Sequence, residues 1–237
     1  MPLEYAPAHL ESVFQRVCVR HAKGQVLQEK GSNSRFSAHE LELWRGDRCL
    51  FSNLAFAIGE GDCLHVTGPN GCGKTSLLRV LSGMSLSESG DVRWDGTRID
   101  RDRGTFNQAV FYVGHREGLK AHLSAVENLQ FDLGIRRSFD QADIDAALER
   151  LAVTHCAHLP VRVLSAGQKR RVALARAVAA KSRLWILDEP FTNLDVAGRD
   201  LISHLLDDHL SGGGLAVVAA HHDLPLRAGR RVPLEIS

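Results

Sequence analysis

At 237 residues and 26.0 kDa the chain is long enough for one sizeable α/β domain or two small ones. Lys+Arg 29 nearly balances Asp+Glu 28, for a formal net charge of +1, which leaves no electrostatic reason to expect nucleic acid or an anionic membrane surface as main partner. With 44% apolar and 24% charged residues the proportions are those of a folded globular protein, and no apolar run reaches the roughly 18 residues of a membrane helix.

The first ten residues contain Glu4, lack an apolar core and resemble no secretory leader. The cysteines, Cys18, Cys49, Cys63, Cys72 and Cys156, are odd in number and form no CxxC pair. Neither a disulfide framework nor a structural zinc site is expected, and a reducing cytosol fits. Residues 1–36 carry polar and small residues such as Lys23, Gly24, Lys30, Gly31 and Ser32, and read as a flexible extension with a short helix around Leu10–Val19.

Residues 37–237 read as one domain. Leu41 and Leu43 alternate with polar residues, Arg45-Gly46-Asp47 turns, and an apolar segment runs from Leu50 to Ile58, which predicts an antiparallel pair. Cys63–Thr67 is a short apolar strand leading into a glycine-rich loop, followed by a helix over Ser76–Leu81 and a hairpin turning at Asp95-Gly96. Apolar runs at Ala109–Val113, Leu184–Leu187 and Leu215–Ala220 alternate with helical patterns at Gln141–Leu151, Gln168–Ala180 and Val196–Leu210. That alternation predicts buried parallel strands with crossover helices, an α/β fold. About residues 116–163 no strand is evident, so a helical subdomain inserted between strands is expected.

Gly68-Pro69-Asn70-Gly71-Cys72-Gly73-Lys74-Thr75, with Ser76 after it, matches G-x-x-x-x-G-K-[ST] between a strand and a helix. Its glycines allow backbone N–H groups to turn toward phosphate oxygens, and the helix adds its positive N-terminal end. Lys74 is placed to reach β and γ phosphates, and the Thr75 hydroxyl to ligate Mg²⁺. Cys72, a thiol inside this loop, predicts alkylation that blocks nucleotide binding unless it merely packs the loop. Leu184–Glu189 is an apolar strand ending in two acids. Asp188 suits a Mg²⁺ position, direct or through water, and Glu189 the alignment and deprotonation of an attacking water.

Leu164-Ser165-Ala166-Gly167-Gln168 opens the next helix, and its place between the loop and the acidic strand resembles the signature motif of ATP-binding cassette (ABC) ATPases. The resemblance implies a P-loop NTPase of the ABC type, with an antiparallel β subdomain and an inserted helical subdomain, binding ATP and Mg²⁺. In that family Ser165, Gly167 and Gln168 would face ATP held on the opposite subunit, so a homodimer of cassettes on ATP binding is implied. Asn193-Leu194-Asp195 is similar to the D-loop, and His221 to the switch histidine, with His222 as the alternative. His115 stands where most cassettes carry the Q-loop glutamine; a neutral imidazole there can ligate Mg²⁺ or bond the attacking water. Trp44 lies near the usual adenine-stacking position, which falls closer to Arg45.

Gly114-His115-Arg116-Glu117-Gly118-Leu119-Lys120, Glu127-Asn128-Leu129 and Leu184–Thr192 resemble the ATPases of bacterial cytochrome c maturation, haem exporters. This implies a peripheral subunit on the cytoplasmic side of the inner membrane, docked through Leu119–Leu129 to integral membrane permease subunits. It powers release of a haem-loaded chaperone. Haem is expected to be handled by partners, since no C-x-x-C-H site is present and His155-Cys156-Ala157-His158 reads as a connector rather than a ligand set. An ABC exporter of another substrate shares every motif and is the alternative; a metabolic P-loop kinase would lack Leu164–Gln168.

Overall fold

The computed structural model describes residues 34–136, 139–221, 224 and 226–237. The expected helix at Leu10–Val19, most of the extension, Cys18 and His222 lie outside the described residues. Two twelve-residue strands, β1 (Ser34–Arg45) and β2 (Arg48–Gly59), form the predicted antiparallel pair, joined at the Gly46 turn. β1 starts inside the stretch read as extension, because Phe36 and Ala38 are needed in the core. The hairpin β4 (Ser89–Trp94) and β5 (Thr97–Arg98) extends this sheet in the order β2-β1-β4-β5.

A second sheet is wholly parallel, in the order β6-β7-β8-β3-β9. It comprises β3 (Asp62–Thr67), β6 (Val110–Val113), β7 (Leu184–Asp188), β8 (Leu215–Ala219) and β9 (Arg230–Glu235). Side chains alternate between its faces. Leu64, Val66, Ile186 and Val217 join the antiparallel sheet and helix α1 (Lys74–Leu81) in one core. Cys63, Trp185, Leu187, Ala216 and Val218 face the remaining helices in the other. These are α3 (Ala125–Arg136), α4 (Gln141–Arg150), α5 (Ala166–Ala179) and α6 (Val196–Ser211), with two single 3-10 turns at Thr154–Cys156 and Val161–Val163. Residues 116–136 and 139–163 form no named strand, only a bridge between Ser124 and Pro160.

Two elements escape the sequence pattern. The seven-residue helix α2 (Arg103–Ala109) buries only Phe106, too little to show a period, and is held by its Asp102 cap on Thr105 N–H at 3.1 Å. Strand β9 carries Pro233, which cannot donate to a ladder and is tolerated because β9 is an edge strand. Cys63, Cys72 and Cys156 are buried free thiols, whereas Cys49 is disulfide-bonded, where the sequence pattern predicts no bridge. No described helix is long and apolar enough to cross a membrane.

At the end of the sheet where β7 begins, the His209 ring stacks on Trp185 with centroids 3.9 Å apart, and Gly214 leaves room that a Cβ would take from the ring. Burial pushes the His209 pKa from an ordinary 6.5 down to about 4, although the carbonyls of Leu215 and Arg183 favour the charged ring. The folded ring therefore binds its proton more weakly than the unfolded one. Stability from this site is complete above pH 6.5 and is lost as pH falls toward 4, a span worth at most on the order of 3 kcal/mol. His209→Phe keeps the stacking and flattens the dependence of Tm on pH across that window; an unchanged slope in thermal melts would exclude His209 as the cause.

Candidate active site

The order β6-β7-β8-β3 sets the carboxyl ends of four parallel strands side by side, the usual place for a ligand in such sheets. Each end delivers one functional segment: the glycine-rich loop after β3, His115 after β6, Asp188 and Glu189 at the end of β7, and His221 after β8. Asn70, Gly71, Gly73, Lys74, Thr75 and Ser76 line one wall of a cleft of about 490 Å³, and His115, Asp188, Glu189 and His221 line the other.

Gly68 opens the loop with φ +146, and a Cβ there would overlap the Ile236 carbonyl oxygen. Gly73 precedes α1 with φ +115 and without a side-chain cap, so the first helical N–H groups are left for a ligand. Lys74 is buried and curls back, donating from Nζ to the carbonyls of Gly68 at 2.7 Å and Pro69 at 3.2 Å. Thr75 Oγ1 donates to Asp188 Oδ2 at 2.8 Å, joining loop to acidic strand. Gly68, Pro69 and Cys72 do not line the cleft. The Cys72 side chain lies in the core at 1% exposure, which favours a role in packing the loop.

Glu189 adopts φ +51, a left-handed conformation rare for a side-chain-bearing residue. Its N–H donates to Ala219 O at 2.9 Å and its carbonyl accepts from Thr192 N–H at 3.2 Å. Its Oε1 sits 3.3 Å from His221 Nε2 without hydrogen-bond alignment, and is a buried oxygen with no hydrogen-bond partner among the described residues. A carboxylate oxygen held unsatisfied at a cleft wall is chemically suited to accept a proton from a water.

The signature segment is elsewhere. Ser165 caps α5, accepting from Gln168 N–H at 3.2 Å, while Gln168 Oε1 accepts from Ser165 N–H at 2.9 Å. This capping box, exposed at Ser165, lies outside the chain's own cleft, whose lining includes neither Ser165, Gly167 nor Gln168. Gly167 instead packs against the D-loop, where a Cβ would lie 3.3 Å from Asn193 O. Asp195 caps α6 by accepting from Gly198 N–H at 2.8 Å.

Three contributors are invisible in the sequence. Leu50 and Thr192 line the cleft, though the sequence assigns neither a place in a site. Arg170, in the Lys169-Arg170-Arg171 run of α5, is 3% exposed and donates to the carbonyls of Gly114 at 2.8 Å, Pro190 at 3.4 Å and Asp188. Burial lowers its pKa, opposed by the Glu117, Asp188 and Glu189 carboxylates.

Trp44 is not in the cleft; its indole N–H donates to Glu42 at 2.6 Å, while Arg45 lines the cleft wall. A guanidinium can stack on a nucleotide base as an aromatic ring does. Arg45→Ala is therefore expected to weaken ATP binding about fivefold and Trp44→Ala less than twofold, measured by titration with a fluorescent ATP analogue. In the His155–His158 segment Cys156 is buried, its Sγ 3.3 Å from Val153 O, while His155 Nε2 lies 3.3 Å from Gln168 Nε2. These groups point to different neighbours.

Fold and cleft together define a P-loop nucleotide hydrolase of the cassette class, with an antiparallel sheet laid over a parallel one and a helical segment set between β6 and β7. The ABC transporter family model matches residues 51–192. A "Cytochrome c biogenesis ATP-binding export protein CcmA" of Methylococcus capsulatus is 47% identical over 201 residues, covering 84% of this chain and 97% of that protein. A protein of the same description from Nitrosomonas europaea is 43% identical over 79% of this chain and 89% of its own length. The chain belongs to the ABC transporter family, among the CcmA-type cytochrome c biogenesis ATP-binding export proteins. In fold it is similar to a dimeric bacterial ABC transporter cassette (TM-score 0.75, 23% identity, 84% of this chain and 94% of that one). It is likewise similar to a post-hydrolysis cassette bound to ADP and Pi (TM-score 0.75, 22% identity, 85% and 96%).

Proposed function

We propose that the chain is the ATP-hydrolysing subunit of a membrane ABC complex that exports or delivers haem in cytochrome c maturation. The observation that carries the hydrolytic reading is the convergence of Lys74, the Thr75–Asp188 pair and the unpartnered Glu189 oxygen on one cleft. The haem assignment rests on the 47% identity to a cytochrome c biogenesis export protein across nearly its full length.

In this mechanism the loop amides and Lys74 bind the β and γ phosphates, Lys74 exchanging the Gly68 and Pro69 carbonyls for phosphate oxygens. A hydroxyl and a buried carboxylate 2.8 Å apart form a hard-oxygen donor pair that fits Mg²⁺, so Thr75 and Asp188 would hold it. Bound there, Mg²⁺ supplies charge neutralisation at the phosphates. Glu189 orients a water and takes its proton as the water oxygen attacks the γ phosphorus and the ADP oxygen leaves. His221, beside Glu189, and His115, on the facing loop, orient the water or the γ phosphate.

Ser165 and Gly167 do not line the chain's own cleft, and in the ABC family these residues face ATP held on the opposite subunit, which supports a homodimer of cassettes formed on ATP binding. Integral membrane permease subunits of the cytochrome c maturation system are the other partners, with this chain peripheral on the cytoplasmic side of the inner membrane. Haem itself is handled by those partners. Expression in a bacterium deleted for its own CcmA, with haem staining of covalently attached cytochrome c, tests the assignment. Restored staining by the intact chain and none by Glu189→Gln is expected. A stable, ATP-hydrolysing chain that pulls down membrane subunits of a different exporter and leaves staining absent would replace this reading by the other-substrate alternative.

A further inference from the structure

Helix α5 begins at the signature segment and runs behind the cleft. Two of its arginines point into the protein and spend their donors on backbone carbonyls of loops that carry cleft residues. Arg170 donates from Nη1 to Gly114 O, the carbonyl just before His115, and from Nη2 and Nε to Asp188 O and Pro190 O, the carbonyls on either side of Glu189. One and a half turns further along, Arg176 donates to Glu117 O, to Gly118 O at 3.4 Å and to the Asp132 carboxylate on α3 at 2.6 Å. Arg170 is 3% and Arg176 6% exposed.

This arrangement carries a desolvation cost, offset for Arg170 by carbonyl dipoles with the Glu117, Asp188 and Glu189 carboxylates nearby, and for Arg176 by carbonyls and the Asp132 carboxylate. What it obtains is geometry. A planar fork fixes several acceptors relative to one another, as an ammonium on a flexible stem does not. The His115 loop has no ladder bonds beyond Val113, yet its carbonyls are pinned on both sides of the histidine, by Arg170 at Gly114 and by Arg176 at Glu117 and Gly118. Glu189, strained at φ +51, is bracketed on one side by Arg170 and held on the other by Ala219 O. A left-handed non-glycine residue persists only where its surroundings over-determine it.

We propose that Arg170 and Arg176 are positioning residues for hydrolysis: a two-arginine clamp on α5 that sets the placement of His115 relative to Glu189. Arg170 ties both loops, and Arg176 ties the His115 loop to α3 through Asp132. The proposal rests on the cleft roles assigned above to Glu189 and His115. It makes the helix that reaches toward the partner's nucleotide the same rigid body that aligns water-orienting groups in its own cleft, and it adds α3 to that body.

The test is steady-state ATPase kinetics with nucleotide binding measured separately, on the full chain carrying Arg170→Lys, Arg176→Lys, His115→Ala and the two arginine–histidine doubles. Both Lys variants retain a cation, and Arg176→Lys retains a partner for Asp132, but each loses the fork. The expected result is a fall in kcat of about 10- to 100-fold for Arg170→Lys, the scale of an ångström-sized misplacement, with ATP affinity changed less than about threefold. In the His115→Ala background Arg176→Lys should cost less than about twofold further, since the cleft segment it hydrogen-bonds is the His115 loop, while Arg170→Lys keeps the part of its effect exerted through Glu189. Losses that multiply fully in the Arg176 double, or that fall equally on affinity and kcat, would reduce the arginines to general packing and overturn the clamp. If Arg170→Lys does not fold, as judged by its melting curve, the Arg176 pair decides alone. Normal turnover in both Glu189→Gln and His115→Ala would instead refute the cleft roles, whereas impaired Glu189 and His115 variants beside normal arginine variants would refute the clamp only.

Discussion

Glu189→Gln should lower the rate of phosphate release by at least about 100-fold while leaving ATP affinity within a few-fold of the parent. The substitution keeps the shape and the backbone bonds to Ala219 and Thr192 and removes only the basic oxygen. ATP then stays in place, and because the chain's signature segment lies outside its own cleft, uncleaved ATP should hold two copies together. Size-exclusion chromatography with ATP and Mg²⁺ should shift the variant to twice the monomer mass and leave the parent mostly monomeric. A variant that hydrolyses ATP at the parental rate would exclude Glu189 as the base.

Gly68→Ala is the second large effect, and it acts through sterics. The position has φ +146, open in practice only to glycine, and the added methyl would meet the Ile236 carbonyl oxygen and, at 2.8 Å, Cys72 Sγ. Ile236 has little freedom to retreat, since its N–H donates to Thr67 O at 2.9 Å and extends the β3–β9 ladder. Expected losses are about 3 kcal/mol of stability, a drop in Tm of roughly 5–10 °C, together with an at least 100-fold weaker affinity for ATP. Gly71→Ala is the control: with φ +76 and nothing within 4 Å of the new methyl, it bears backbone strain alone, about 1 kcal/mol. Equal melting temperatures for the two variants would show that Ile236 yields.

Much of this protein was legible in one dimension because its signals are local. The strand–loop–helix around Gly68–Thr75 depends on glycine dihedrals and on a lysine and a hydroxyl at fixed offsets, and the apolar strand before Asp188 announces itself by composition. Burial on both faces makes β3, β7 and β8 continuous apolar runs, so each was readable to within a residue or two. Elements with one buried side chain or an edge position, α2 and β9, carry no such run. Pairing in space supplied them.

The cleft walls follow the same division. Lys74, Thr75, Asp188 and Glu189 could be named from motif chemistry, and His115 and His221 from their place after short strands. Arg45 rather than Trp44 faces the cleft because register shifts in β1 near Leu43 and Trp44 decide which side each residue takes, and register is a property of two strands.

The sequence by itself determined the chemistry on offer: a phosphate loop, a metal-suited hydroxyl–carboxylate pair, a carboxylate suited to act as a base and a helix that resembles the signature, all written in short contiguous segments. Only the tertiary structure decided which of these act together. Strand order brought four loops to one edge and left Ser165 and Gly167 outside the cleft they form. Arg170, indistinguishable in sequence from its half-buried neighbours Lys169 and Arg171, became a buried cation because helix α5 turns that one position toward the carbonyls of two other segments. Burial and convergence depend on residues far apart in the chain, and no local pattern encodes them.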